Sequence, residues 1–572
     1  MGETPKYLVP KATGTHGDVF AAVGLADLLS TARNAGEVRI KESPLGFQVE
    51  PVLKSEGLGA VAQSPGYPFL RTSPKVKVPT GVTDCVDYKL EKEKSDRRKK
   101  LLQGKSRKSA GPEIQELLRQ EEARPDWRLL QVLNTLQGDE TSNRIHALVV
   151  RMKPQEFLKA VEGALTAISE GRRSSLDWPA TSVQLFTPSA AKGYARLKPD
   201  STDRNDKTKE QWTDPFVEWL RYRGYFRVAC PFFEAENVRL VCPVPSDISI
   251  NALKEVANDL RAASIYGGPP KLDSLAVLEL ADLLIRRSED MASTRPIPGL
   301  RMTGRRPAEI ISGVYVTHYQ SLGNAKAVSA ISVVALPGWF AIKNESDAQA
   351  FLEILDEHKR VVRSLIDDHS DEIGLLIEYR RFLEARGEAA VPILIDFMAR
   401  YGMLVLRARE SGRKIPQFST YQLEKIAMAN AQKLSEILAE PGFRAIAAAI
   451  RAATVNAQAQ KAMNRPDYRE IRYDLLPDLR RKSSLPGNER FVEALSEFVS
   501  LYNVENARRR ELGKAAPRNV TTEEFESVVR LIEIHGASVV GPLLCAYGSC
   551  RLPRDEEAIQ PEGSPEATAD EN

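Results

Sequence analysis

The chain has 572 residues, 42% of them apolar and 27% charged, with 80 Lys and Arg against 77 Asp and Glu for a net charge of +3. These totals exclude a disordered or fibrous chain and a wholly basic nucleic-acid coat, so any nucleic-acid binding must use local patches. Five scattered cysteines, Cys85, Cys230, Cys242, Cys545 and Cys550, match neither a disulfide framework nor paired CxxC zinc ribbons and read as buried thiols, and no metal or other cofactor is expected.

The length implies two or three domains, since a single core rarely grows beyond about 250 to 300 residues. No uninterrupted apolar run reaches the roughly 18 residues that span a bilayer. The first residues also lack a basic stretch followed by an apolar one. A cytoplasmic protein with no membrane partner is the expectation.

A short extended piece from Lys6 leads into the turn Gly14, Thr15, His16, Gly17. An amphipathic helix follows from about Asp18 to Ala32, with Val19, Ala22, Val23, Ala26 and Leu29 on its apolar stripe. Asp18 stands where an N-cap would. The turn invites an anion site at a helix start. It lacks the GxGxxG and GxxxxGK(S/T) spacings, however, and Asp18 would repel a phosphate, so a structural turn is preferred. His16 and Asp18 are two residues, too few for a metal site.

Strands and turns are expected around Leu45, Gly46 and Phe47, then a Pro- and Gly-rich loop to Thr80. Residues 88–108 hold ten basic residues against three acidic ones. Arg97, Arg98, Lys99, Lys100, Lys105, Arg107 and Lys108 there read as a phosphate-tracking arm whose ordering calls for an anionic partner; a solvated loop or helix end is the alternative. Glu113 to Leu136 and Pro154 to Ser169 read as helices, and Trp178 to Phe186 as a strand region. Trp212 to Arg227 interleaves rings with arginines; base stacking is possible on such rings, but Phe216, Trp219 and Leu220 fit a buried helix stripe better.

Gly313 to Ile342 reads as a β-hairpin with its turn at Gly323 and Asn324. Gln320, Asn324 and Lys326 at this tip are the candidates for reading base edges in a groove, against an ordinary polar turn. After Asn344 the pattern is nearly continuous helix, with breaks near Gly387, Gly412 to Ser419, Pro441, Pro486 and Pro517 to Thr522. Thr521, Thr522 and Glu524 resemble an N-cap and acidic first turn for a helix ending near His535. The whole is an α+β chain: an N-terminal α+β domain over 1–343, a C-terminal helical bundle over 344–552 and an acidic, disordered tail over 553–572.

Between Leu404 and Thr521 there are 21 Lys and Arg against 13 Asp and Glu. Arg469, Arg472, Arg480, Arg481 and Lys482, then Arg508, Arg509, Arg510, Lys514 and Arg518, would place cations where they can meet phosphates, a solvated helical face being the alternative. Almost nothing there could carry out covalent chemistry. The best material for a hydrolase or nuclease is Asp367, Asp368 and His369 with His358, and exposed helix charges explain those residues more simply. A helical scaffold that binds only protein is the third reading.

Three stretches together resemble one family. They are Gly14 to Leu28, the hairpin Tyr315 to Trp339 with Gly-Asn-Ala-Lys-Ala at its turn, and Arg469 to Asp474 through Tyr502 to Ala507. They are similar to the large subunit of type I CRISPR effector complexes, the RNA-guided Cascade assemblies of antiviral defence. The resemblance covers both ends of the chain and thins between residues 40 and 300. It implies a non-catalytic subunit whose N-terminal part meets the guide RNA handle and probes the motif beside the double-stranded DNA target. It also implies a helical part, like the separate small subunit, that holds the displaced single strand. Implied partners are the backbone, handle-binding and small subunits and a helicase-nuclease. Some relatives carry paired CxxC motifs; this chain does not, so their zinc site is not carried over.

Overall fold

A computed structural model describes residues 6–31, 37–52, 61, 63–102, 112–174, 176–179, 185–186, 214–234, 236–323, 326–463 and 468–552. It is 58% helix and 13% strand, the α+β class expected. Two compact units emerge, 1–269 with 279–336 and 270–278 with 337–572.

The first unit runs β1 (Tyr7–Pro10), α1 (His16–Ser30), β2 (Arg39–Ser43), β3 (Gly46–Glu50), β4 (Phe69–Arg71), β5 (Cys85–Asp87) and α2 (Tyr88–Leu102). Then come α3 (Pro112–Gln120), α4 (Trp127–Thr135), α5 (Asp139–Arg151), α6 (Pro154–Ser169), α7 (Pro215–Val228), β6 (Cys230–Glu234), β7 (Asn237–Pro245), β8 (Asp247–Ser249) and α8 (Ile250–Ala262). Helix α9 (Pro269–Arg286) follows, its residues 270–278 grouping with the second unit, and then β9 (Ile311–Ser321) and β10 (Lys326–Ala335). One antiparallel sheet has the order β1-β3-β2-β8, another β10-β9-β7-β6, and β4 and β5 form a parallel pair.

Helix α1 is the axis of this unit. The expected single apolar stripe is a correction: every residue from His16 to Leu29 is buried, because α1 packs on α7, on strands of both four-stranded sheets and on α8. Small residues make this possible. A Cβ at Gly24 would collide with the Leu220 carbonyl oxygen, and one at Gly224 with that of Phe20, so the two helices cross with their backbones touching. Thr15, not Asp18, is the N-cap, its hydroxyl accepting from Gly17 N. Asp18 instead reaches back to accept Thr13 N at 3.0 Å and Gly14 N at 2.8 Å, so its own carboxylate occupies the position an anion would take.

Other sequence expectations also change. The helix over 113–136 is two, α3 and α4, broken at Pro125, which has no N–H to continue the ladder. None of the described residues between Trp178 and Phe186 is in a strand. Trp219 and Arg223 are fully buried, in keeping with the core reading of that interleaved stretch.

The second unit contains α10 (Glu345–Ser364), α11 (Ser370–Glu384), α12 (Ala390–Glu410), α13 (Thr420–Asn430), α14 (Gln432–Ala439) and α15 (Pro441–Arg451). After one π-turn over Ala452–Asn456 come α16 (Ala457–Ala462), α17 (Leu475–Ser483), α18 (Glu489–Glu511), α19 (Thr522–His535) and α20 (Ala537–Gly548). Its chain boundary falls at Pro337, earlier than the expected 344, because Trp339 stacks on Phe351 and Phe382 of the helical core at 5.1 and 5.9 Å. Residues 270–278 join it through Asp273, paired with Arg380 at 3.0 Å, and Lys271, which donates to Leu365 O. The stretch Gly387–Glu410 is long and apolar enough to cross a membrane, but 67% of its apolar window is buried inside the unit, as befits a core helix. Thr521 and Glu524 form the expected capping box on α19. The tail 553–572 lies outside the described residues.

Candidate nucleic-acid interface

The basic stretch over 88–108 is helix as far as Leu102, anchored at its start by contacts within the unit. Tyr88 packs on Trp127 at 5.2 Å, and buried Glu91 accepts Lys94 Nζ at 2.9 Å and Arg124 N at 3.3 Å. Arg97 grips Glu121 through two bonds of 2.8 and 3.0 Å, a bidentate pair that uses the geometry a phosphate would want. Arg98 is half-buried and Lys99 and Lys100 are exposed in the last turn of α2, while Lys105, Arg107 and Lys108 lie outside the described residues.

The hairpin is present as expected. Gln320 is exposed on β9 across from Ala327, and Lys326 opens β10 across from Ser321, so both flank the turn. Lys326 Nζ donates to Glu236 O, and Asn324 lies outside the described residues. Of the three candidates for reading base edges, Gln320 is thus exposed at this tip.

Arg469 is a correction, since it is 4% exposed and cannot meet a phosphate. Its guanidinium reaches Glu505 at 2.7 Å, donates to Asn506 Oδ1 at 2.7 Å and to Tyr502 O at 3.1 Å, and lies 4.1 Å from the Tyr502 ring centroid. It therefore fastens the segment before α17 to the middle of α18.

The remaining arginines separate by the acceptor they have found. At the end of α17, Arg480 pairs with Asp396 at 2.5 Å, and Arg481 and Lys482 both hold Asp478 at 2.6 and 3.3 Å. Carboxylates thus balance much of this cluster. The same holds for Arg407 on Asp371, Arg413 on Glu372 and Arg518 on Glu524. Asp371, Glu372, Asp396 and Glu524 all stand outside the window 404–521, so the cation excess counted along the sequence is partly cancelled in space.

At the end of α18 the acceptors of Arg510 carry no charge. Arg510 donates to Pro517 O at 3.0 Å and Asn519 Oδ1 at 3.1 Å, and Arg509 donates to Ala515 O at 3.0 Å. Arg508 is exposed and has no partner among the described residues. A carbonyl fixes a guanidinium without neutralising it, so the α18 end is both ordered and cationic. All three residues are in the last turn, where they also complement the negative end of the helix dipole.

Two further residues escaped the sequence reading. Tyr468 and Tyr473, 41% and 39% exposed, flank Arg469 in the segment it fastens. Tyr473 bonds Glu410, which also accepts Lys461 Nζ at 2.8 Å and Gln458 Nε2 at 3.0 Å. Those bonds hold the Glu410 carboxyl at about 2. Arg472 beside them is half-buried, with exposed Glu470 and Asp474 as neighbours, so this segment offers rings rather than positive charge. The alternation of aromatic and basic residues in YREIRY is the signal that could have found it.

The residues named for a hydrolase do not come together. His358 is fully buried, its Nε2 donating to Gln422 Oε1 at 2.9 Å and its Nδ1 accepting from Tyr379 at 2.7 Å. Asp367, Asp368 and His369 lie in the loop before α11 rather than along one helix face. His16 donates Nε2–H to Leu185 O and accepts from Thr317 at 3.0 Å, so it too is engaged. Burial lowers both histidines to about 4 and keeps them neutral. Among the described residues, no three His, Cys, Asp or Glu side chains converge as a metal site would require. No protein-family model matches the sequence, and no curated protein is similar to it.

Proposed function

We propose that this chain is a non-catalytic subunit that holds nucleic acid by its phosphate backbone, namely the large subunit of a type I CRISPR effector complex. One observation carries the reading: Arg508 and Arg510 at the end of α18 keep their charge, because Arg510 is ordered by uncharged acceptors and Arg508 has none. Such cations bind an opened strand without breaking a bond in it, with affinity that falls as salt rises. The two rings beside Arg469 would stack bases of the same strand. Support also comes from where the family-like stretches fall. The first meets the hairpin through the His16 to Thr317 bond, and the two halves of the third meet through Arg469 and Tyr502. In this reading the guide RNA, the target duplex with its displaced strand, the other Cascade subunits and the helicase-nuclease are the partners.

The test is to co-express the chain with the products of its neighbouring genes and recover the nucleic acid that elutes. A short RNA of defined length is expected. Absence of any such RNA, together with no affinity for single-stranded oligonucleotides at low ionic strength, overturns the reading. A protein-binding scaffold is favoured by one observation of its own, the exposed Leu501 and Val504 on α18 and Leu512 just beyond its end. Nuclease treatment separates the two, since a protein-only assembly survives it.

A further inference from the structure

Among the described residues of the first unit, cations outnumber carboxylates around Asp27. Asp27, in the last turns of α1, has a side chain only 2% exposed and is met by three cations. Arg223 Nη2 lies 2.8 Å from one carboxylate oxygen; Arg227 Nε and Lys254 Nζ lie 2.7 and 3.7 Å from the other. Burial pushes the Asp27 carboxyl up, but Arg223, Arg227 and Lys254 together outweigh it and hold it below its ordinary value.

Arg223 is itself 1% exposed and by itself makes a neutral pair with Asp27. Arg227 and Lys254, 34% and 29% exposed, are therefore in excess at the surface. A fourth cation stands behind them. Arg261 donates to Arg227 O at 2.6 Å, Phe226 O at 3.2 Å and Asn258 Oδ1 at 2.7 Å, acceptors that fix its place without cancelling its charge. Helix periodicity explains the gathering: Arg223 and Arg227 are four apart on α7, and Lys254, Asn258 and Arg261 follow one face of α8. Arg227 uses only its Nε, and its two terminal nitrogens have no partner among the described residues. The nearby carboxylate Asp259 is already held by Arg287.

We propose that Arg227 and Lys254 form a phosphate-binding site on the first unit, taking one phosphodiester of the bound nucleic acid; its assignment to nucleic acid rests on the function proposed above. A bound anion relieves the repulsion between like charges crowded around one carboxylate, and the two unoccupied nitrogens of Arg227 form the fork that matches two phosphate oxygens.

The experiment uses the full chain with Arg227→Gln and Lys254→Gln combined, which leaves the buried Asp27 to Arg223 pair in place. Titration with a single-stranded oligonucleotide over a range of salt should show an affinity loss of about three- to tenfold and a plot of log affinity against log salt shallower by about 0.7. Lys254→Glu, which supplies an internal carboxylate to Arg227, should do the same while leaving the unfolding temperature unchanged or raised. Unaltered affinity and slope in both variants overturn the site and leave the proposed function standing. If the unaltered chain binds no oligonucleotide, inorganic phosphate is the second arm. A phosphate-dependent rise in unfolding temperature that both variants abolish then assigns the site to free phosphate rather than to a nucleic acid, and no rise overturns it.

Discussion

The ends of α17 and α18 look alike in sequence and differ in space. Each finishes on three consecutive basic residues, Arg480, Arg481 and Lys482 in one and Arg508, Arg509 and Arg510 in the other. The first group lies against Asp396 and Asp478, whereas Arg510 is positioned by a carbonyl and an amide and Arg508 by nothing described. A run of cations thus reports a field only when its acceptors are uncharged, and the acceptors sit far away in sequence: Asp396 is 84 residues from Arg480.

The sharpest way to break the comparison is Arg469→Ala. If Arg469 is structural, its loss leaves the buried Asn506 side chain and the half-buried Glu505 without their partner and costs about 2 to 4 kcal/mol, read as a lower denaturation midpoint of the helical unit. Were it a phosphate contact, affinity would fall and stability would not.

Next comes pH. The unfolded chain protonates His358 near the ordinary 6.5, but the buried ring takes a proton only near 4. Between those values the unfolded state binds more protons, so stability is complete above 6.5 and declines as pH falls, by up to about 3 kcal/mol. Arginines keep their charge throughout, so loss of nucleic-acid retention below pH 6 would report unfolding of both clusters alike. His358→Gln should remove this part of the acid sensitivity in a denaturation series against pH.

Arg508→Gln with Arg510→Gln should weaken oligonucleotide binding by about tenfold and make the salt dependence shallower by about 1.4, with little change in stability. The smallest effect belongs to the other cluster. Replacing Arg480, Arg481 and Lys482 by Gln should cost about 0 to 1 kcal/mol of stability and leave affinity within about twofold. Equal losses from the two sets would erase the distinction between them.

Elements set by local chemistry were legible from the residues. Pro154 starts α6, Thr521 and Glu524 cap α19, and Gly323 marks the hairpin turn, because each acts within a few positions of itself. Contacts over long separations were not. Nothing local says that Arg97 finds Glu121 or that Arg469 is buried under Tyr502. The candidate interface was therefore legible as a composition and illegible as a map, with Arg508 and Arg510 picked out only by their neighbours. Asp27 and Lys254 passed unnoticed because three separate helices assemble their cluster.

The close backbone approaches of Gly24 to Leu220 and of Gly224 to Phe20 have a mechanical consequence. Asp27 and Arg227 each stand three residues, nearly one helical turn, beyond those glycines. The crossing acts as a rivet that sets the span between carboxylate and guanidinium. An added methyl at either position would pry the pair apart and detune a cluster it never touches.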